Sequence, residues 1–125
     1  MNEELRSISE LDRVIHEPGR MMIFMLLGAV KECDFLYLLH ETEMNKGNLS
    51  CHLTRLEQAG YIEIEKTYRG KVPQTLLRLT GSGRKAFDQY LTQLMTALKP
   101  TERRSRSRRG SPVGLSSVVA AGTQV

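Results

Sequence analysis

The 125-residue sequence has no tryptophan, only two cysteines and no long hydrophobic run. Its longest mainly apolar stretch, residues 21–30, is much shorter than the roughly 20 apolar residues that a bilayer-spanning helix needs, so a transmembrane helix is excluded. The first residues are polar and acidic, which predicts no secretory signal. Two cysteines build no disulfide framework and fit a reducing compartment, so we expect a cytoplasmic protein without membrane association.

Sequence patterns of catalysis are also missing. There is no glycine-rich nucleotide-binding motif, no CxxC pair, no serine–histidine–acid order with a nucleophile elbow and no carboxylate pair suited to acid–base chemistry. A chain of this length supports one domain and leaves no room for a catalytic module beside a binding module. We therefore predict neither an enzyme nor a bound cofactor.

Charge is distributed unevenly along the chain. The net charge is +4 and the isoelectric point is about 9.3. Residues 1–45 carry four basic and nine acidic residues, whereas residues 46–85 carry eight basic and three acidic ones. Residues 86–100 balance, and residues 101–125 carry five arginines and one glutamate. The first hundred residues are therefore neutral overall, and their basic middle suggests an acidic partner such as nucleic acid.

Apolar residues spaced three and four apart predict four helices in the first 59 residues, separated by short turns. We expect them at residues 7–16, from 19 to about 31, from 35 to a turn at 41–45, and from 46 to about 59. Ser7 or Ser9 is the candidate N-cap of the first helix, and Asp34 is that of the third. Pro18 suits the first turn of the second helix, and Gly60 suits the end of the fourth.

After Gly60 the apolar period changes from 3.6 to 2, which is typical of a half-buried strand. Residues 61–68 alternate apolar and charged side chains, residues 69–73 form a polar turn, and residues 74–79 offer a second strand. Thr80 then caps a final long helix to about residue 99. The predicted fold class is α+β, mainly α: a winged helix-turn-helix with four helices, a two-stranded β-wing and a long C-terminal helix.

The fourth helix carries the residues best suited to reading DNA. Leu49, Leu53 and Leu56 fall at i, i+4 and i+7 and define its buried stripe. The opposite side and flanks are short, polar or basic, which suits entry into a major groove; they comprise Lys46, Gly47, Asn48, Ser50, Cys51, Thr54, Arg55 and Gln58. An ordinary amphipathic helix with a solvated face explains the same pattern.

The hairpin adds a second basic element next to that helix. Arg69 and Lys71 flank Gly70, so the tip places two cations beside a phosphate backbone or a minor groove. Basic hairpin tips also protect sheets from edge pairing, which is the alternative explanation. Arg20, ahead of the second helix's apolar run, is a further candidate phosphate contact. The adjacency of the helix and the basic hairpin favours DNA binding.

Three stretches of this sequence match a known family: LDRVIHEPGRMMIFMLL, GNLSCHLTRLEQAGYIEIEK and RGKVPQTLLRLTGSGRKAF. Over about residues 8–98 the chain resembles the small winged-helix transcriptional regulators related to the MarR and ArsR groups. The resemblance implies that the helix matching 46–59 enters the major groove, that the hairpin matching 61–79 is the wing, and that the outer helices form a homodimer.

Carried over by position, the resemblance assigns a set of DNA-facing residues: Lys46, Asn48, Ser50, Cys51, Thr54 and Arg55, with Arg69 and Lys71 on the wing. Cys51 stands where relatives of the ArsR type often have arginine or glutamine, so one base contact is expected to be missing or replaced by a weak thiol contact. A dimer through the first and last helices agrees with the residues, because their apolar stripes are large for so small a chain; packing of the two stripes within one subunit is the alternative.

Histidines and cysteines raise the alternatives of a metal sensor and a redox trigger. Cys33 and Asp34 resemble half of an ArsR metal motif, but Lys31 stands where the partner cysteine belongs, so no metal site is predicted. Glu32 and Asp34 flank Cys33 and oppose a reactive thiolate, which leaves Cys51 as the better oxidation candidate. His16 is expected to cap a helix or pack at a helix junction, and His52 to bond a phosphate or a neighbouring side chain.

Taken together, the sequence predicts a winged-helix domain over residues 1–99 and a disordered Arg/Ser-rich tail over residues 100–125. The predicted function is a sequence-specific regulator of transcription that binds double-stranded DNA as a homodimer and represses by occluding a promoter. The alternatives are a winged helix used for protein–protein contact, and a ligand- or metal-responsive switch on the same fold.

Overall fold

The computed structural model describes residues 2–99, so the predicted disordered tail lies outside the described residues. Helices dominate, and the predicted order of helices and hairpin is confirmed. The elements are α1 (Glu3–Ser9), α2 (Pro18–Gly28), β1 (Cys33–Asp34), α3 (Phe35–Thr42), α4 (Lys46–Gln58), β2 (Ile62–Arg69), β3 (Val72–Leu79) and α5 (Gly81–Leu98).

The core forms around α2, which packs against α4, β3 and α5. From α2 it takes Ile23, Phe24 and Leu27, which are almost completely buried. Phe24 stacks on Phe87 of α5 with ring centroids 5.1 Å apart. The leucine stripe predicted for α4 packs into this core and is buried in full. Burial of α2 on most sides agrees with its mainly apolar sequence.

The sheet has three antiparallel strands in the order β1-β3-β2: the predicted two-stranded wing, β2 and β3, and one strand that was not predicted. The added strand is the two-residue β1, whose Cys33 and Asp34 pair with Leu77 and Leu76 of β3. Two residues carry too little periodicity to be recognised as a strand from sequence. They pair because the chain that leaves α2 runs along the edge of β3 opposite β2. Helix α3 then begins directly after this short strand.

The hairpin turn is tighter than predicted. Arg69 pairs with Val72, so only Gly70 and Lys71 lie between the strands rather than the whole of residues 69–73. Gly70 has φ +65°, as the first position of a type II′ turn requires, and glycine reaches this angle without strain. Pro73 is tolerated within β3 because β1 pairs only farther along, so this end of β3 has one free edge.

The first helix is displaced from its predicted position at residues 7–16. It runs over Glu3–Ser9, with Asn2 rather than a serine as N-cap. Asp12 explains the early end, because its Oδ1 accepts hydrogen bonds from the Val14 and Ile15 backbone N–H groups at 2.8 and 3.3 Å. A side chain that satisfies these donors favours a turn over a continued helix.

Capping residues fix both ends of α4. Asn45 accepts from the Asn48 N–H at 2.8 Å and begins the helix, while Gly60 follows its end with φ +81°. The predicted role of Gly60 is thus confirmed, and Asp34 caps α3 as predicted by accepting from the Tyr37 N–H. Helix α3 extends through Thr42, however, two residues into the predicted turn.

No helix within residues 2–99 combines the length and the apolar character needed to cross a bilayer.

Candidate nucleic-acid interface

Helix α4 presents a polar face to solvent directly opposite its buried leucines. The predicted DNA-facing residues of this helix are all exposed: Lys46, Asn48, Ser50, Cys51, Thr54 and Arg55. A shallow open depression follows this face and is lined by Gly47, Ser50, Cys51, Thr54, Arg55 and Gln58. The structure therefore brings these residues together on one accessible surface without an acidic side chain in the lining.

The wing begins where α4 ends. The Tyr61 N–H donates to the Leu56 carbonyl at 3.0 Å, which joins the base of β2 to the last turn of α4. From there the eight residues of β2 extend roughly 26 Å, at about 3.3 Å per residue, to the Gly70 turn. Arg69 and Lys71 are exposed at this tip, away from the packed base.

The acidic residues of the hairpin, Glu63 and Glu65, form ion pairs with Arg78 away from the hairpin tip. Arg78 lies in a cluster with three carboxylates: Glu65 Oε1 at 2.5 Å, Glu32 Oε1 at 3.5 Å and Glu63 Oε1 at 3.7 Å. Arg78, one of the eight basic residues in the segment 46–85, is therefore paired with carboxylates within the protein. The stretch from Lys66 to Pro73 contains three cations and no acid, so the positive potential is concentrated at the wing tip.

The cations of this surface are free to meet a ligand. Within residues 2–99, Lys46, Arg55, Arg69 and Lys71 make no ion pair or side-chain hydrogen bond with another side chain. Arg20 differs from them. It is half-buried, its Nε donates to the Val14 carbonyl, and its Nη1 lies 3.1 Å from His52 Nδ1. A contact between Arg20 and phosphate stays a prediction, since the Arg20 guanidinium already bonds Val14 and His52 within the protein.

Sequence reasoning missed the polar cluster between α2 and α4. Glu17 caps α2 by accepting from the Arg20 N–H at 2.8 Å, and its Oε1 lies 3.9 Å from His52 Nδ1. Gly19 is buried against the His52 ring. A Glu-Pro-Gly sequence at the start of a helix was the available signal for the cap, but its partner on α4 is more than 30 residues away. His52 thus bonds a neighbouring side chain, one of its two expected roles.

Two further polar contacts tie the segment between α1 and α2 to the rest of the fold. His16 Nδ1 lies 2.7 Å from the hydroxyl of Tyr90 on α5, which confirms that His16 packs at a helix junction. Tyr61 donates to Asp12 Oδ2, and this bond, with burial, raises the Tyr61 pKa to about 12. Both contacts are structural and lie away from the exposed face of α4.

The thiols lie in different environments. Burial, with the nearby charges of Asp34 and Glu32, raises the pKa of Cys33 to about 11, which opposes formation of its thiolate. Cys51 is exposed on the outer face of α4. Among the described residues no group of three or more His, Cys, Asp or Glu side chains is arranged to hold a metal ion.

Apolar side chains are exposed on both terminal helices. On α1 these are Leu5 and Ile8, and on α5 they are Leu91, Met95 and Leu98, with Met95 70% and Leu98 64% accessible. Helices α1 and α5 do pack on one another within the subunit. That packing buries only part of their apolar surface, and these five side chains stay accessible from outside the subunit.

Known proteins resemble this chain in sequence and fold. The model of a family described as winged helix DNA-binding domain matches residues 20–98. An uncharacterized protein of Methanocaldococcus jannaschii is 32% identical over 91 residues, covering 72% of this chain and 98% of the relative.

Among solved structures, a transcriptional regulator homologue from Pyrococcus horikoshii superposes with a TM-score of 0.71 at 24% identity, covering 78% of this chain and 95% of that one. A MarR-family transcriptional regulator from Silicibacter pomeroyi gives a TM-score of 0.55 at 16% identity, covering 94% and 80%. These structural likenesses confirm the winged-helix fold that the sequence predicted.

Proposed function

Because the chain belongs to the family of winged helix DNA-binding domains, we propose that it is a sequence-specific transcriptional regulator that binds double-stranded DNA as a homodimer and represses. The observation that carries the proposal is the acid-free, exposed face of α4 next to a wing tip with unpaired cations. A 13-residue helix of this kind fits the major groove, which admits a single α-helix.

The residues divide into two roles. Lys46, Arg55, Arg69 and Lys71 would contact phosphates, which fixes the position of the protein on the duplex without reading sequence. The base readers would be Asn48, Ser50 and Thr54, since an amide and two hydroxyls can both donate to and accept from base edges in the major groove. The Cys51 thiol, a weak donor, lies among them and would contribute little discrimination.

A homodimer follows from the size of the site and from the exposed apolar residues. One helix in one groove reads only a few base pairs, whereas a two-fold pair reads two half-sites about one helical turn apart. The accessible apolar residues of α1 and α5 supply a surface that a second copy would cover; they are Leu5, Ile8, Leu91, Met95 and Leu98.

Repression is the simplest outcome of such binding. A dimer on a promoter excludes other proteins from the same DNA and needs no further surface. Residues 2–99 are accounted for by the core, the wing and the terminal helices, with no separate activating domain among them.

The test is a mobility-shift assay of the full chain on DNA from upstream of its own gene, with footprinting of the shifted fragments. We expect a protected, two-fold symmetric site, and log K should fall linearly with log salt. If the four cations of both subunits contact phosphates, the slope is about −7. Absence of a shift at low salt would contradict DNA binding and favour a protein partner.

A further inference from the structure

On the side of α4 that packs against α2, the ring of His52 occupies a space left by a glycine. His52 lies between the buried leucine stripe and the outward face of the helix, and its ring rests against Gly19 of α2. A Cβ on Gly19 would lie 2.7 Å from His52 Nε2 and 3.1 Å from its Cδ2, so any larger residue would push the ring away. The absence of a side chain at Gly19 therefore makes room for the imidazole.

The other nitrogen of the ring is held by Arg20. Arg20 Nη1 lies 3.1 Å from His52 Nδ1, and because a guanidinium only donates, Nδ1 accepts this bond. The same guanidinium donates through Nε to the Val14 carbonyl, while the Arg20 backbone N–H is bonded to Glu17. One side chain thus joins the segment before α2 to α4 across the start of α2.

We propose that Arg20 and His52 are positioning residues for DNA binding, whose hydrogen bond fixes the rotation of α4 about its own axis. This inference rests on the proposed function. The leucine stripe alone sets no exact rotation, because apolar burial is non-directional, whereas a hydrogen bond is directional. A rotation of ~20° would move a side-chain tip on the outer face by roughly 2 Å, given a helix radius of about 5–6 Å with side chains. That displacement breaks a hydrogen bond to a base.

The positioning role makes a different prediction from a phosphate contact by the same arginine. A bond inside the protein neutralises no phosphate and releases no counterion, so its loss weakens DNA binding without changing the salt dependence. Loss of a phosphate contact by Arg20 or His52 would instead make the slope of log K against log salt less steep by about one per contact.

The experiment compares four variants of the full chain on a duplex that the wild type selects from a random DNA library. In His52→Asn the side-chain amide oxygen takes the position of Nδ1 and can still accept from Arg20. His52→Leu has no acceptor, and Arg20→Met removes the same bond from the donor side, together with the bond to the Val14 carbonyl. We expect His52→Asn to bind within about threefold of wild type. The other two should raise Kd about tenfold, as when a tenth of the molecules hold the competent orientation, with an unchanged salt slope.

The double variant Arg20→Met/His52→Leu completes a cycle that measures the bond itself. If the two residues act through their shared bond, the double variant should bind DNA no more weakly than the weaker single variant. Losses in DNA affinity that add up in the double variant would overturn the proposal. Equal weakening by His52→Asn and His52→Leu, or a flatter salt slope, would also overturn it by pointing to direct DNA contact. If His52→Leu fails to fold, the comparison of Arg20→Met with wild type decides the matter, since binding as tight as wild type refutes positioning. Failure of the wild type itself to select any duplex would refute the proposed function instead.

Discussion

Gly83 of α5 lies against the backbone of Tyr61 so closely that no side chain fits between them. A Cβ on Gly83 would be 2.8 Å from the Tyr61 carbonyl carbon and nearer still to its oxygen. The approach is fixed by two hydrogen bonds of Thr80, whose N–H donates to the Tyr61 carbonyl at 3.0 Å and whose hydroxyl donates to the Gly60 carbonyl at 2.7 Å. The start of the wing and the start of the last helix are thereby joined.

We therefore expect Gly83→Ala to destabilise the protein by about 3 kcal/mol, because the clash is with backbone that cannot rotate away. Gly81→Ala is the matched control in the same helical turn, since a Cβ there meets nothing within 4 Å and alanine favours helix. Denaturant unfolding of both variants measures the difference. Equal stability of the two would show that the α5–β2 junction can shift to admit a methyl group.

The Tyr61–Asp12 hydrogen bond should make stability depend on alkaline pH. Its donor is the neutral phenol, and the folded-state pKa of Tyr61 is raised from 10.0 to about 12. The stabilisation is fully present below pH 10 and is lost as the pH rises toward 12. Tyr61→Phe should cost about 1 kcal/mol at pH 7 and flatten the fall in unfolding free energy between pH 10 and 12.

The control for that measurement is Tyr68→Phe. Tyr68 is exposed on the wing, so removal of its hydroxyl should leave both stability and its alkaline dependence as in the wild type. A Tyr61→Phe curve that falls as steeply as the wild type between pH 10 and 12 would contradict a role for this bond.

Thiol reagents should distinguish the two cysteines sharply. At pH 8 the Cys33 thiol, with its pKa raised to about 11 and its side chain half-buried, should react roughly a hundredfold more slowly than exposed Cys51. Peptide mass spectrometry after timed alkylation measures both rates in one sample. Bound operator DNA should protect Cys51, and alkylated protein should bind DNA more weakly; a Cys51 rate that is unaffected by DNA would place it outside the interface.

Loss of a free cation from the proposed interface should weaken DNA binding without loss of folding. Arg55→Ala and Arg69→Ala are each expected to weaken operator binding and to make the salt slope less steep by about one per lost contact on each subunit. Arg13→Ala removes the same charge from the exposed segment between α1 and α2 and serves as the control. If all three variants bind equally well, the docking of α4 and the wing on DNA is refuted.

The dimer proposal predicts that a charge on the exposed face of α5 separates the subunits. Leu98→Glu should convert a dimer to a monomer in light scattering, because a carboxylate would be buried unpaired in the interface. Leu36 on α3 is equally exposed, 65% against 64% for Leu98, so Leu36→Glu is a matched control that should remain dimeric. A wild-type monomer at micromolar concentration would contradict the proposal directly.

Local signals in the sequence accounted for the helices, the hairpin and the face of α4. The leucines of α4, the caps Asp34 and Thr80 and the stop at Gly60 each depend on residues within a few positions, which is why their roles were predicted correctly. The C-terminal limit of α1 was predicted wrongly because the spacing of Ile8 and Leu11 fits a longer helix. The Asp12 side chain instead bonds the backbone after the helix and competes locally with helical hydrogen bonds.

The sequence by itself therefore determined the winged-helix order, the buried stripe and the exposed polar face, since periodicity and capping are encoded over short distances. Only the tertiary structure decided that β1 joins the sheet, that Arg78 faces three carboxylates and that Arg20 reaches His52 rather than solvent. Each of these contacts joins residues at least 13 positions apart in the chain, and the pairing of such residues depends on how helices and strands pack rather than on any local pattern. Whether a basic residue stays free or bonds within the protein therefore depends on the fold, which places partners beside Arg78 and Arg20.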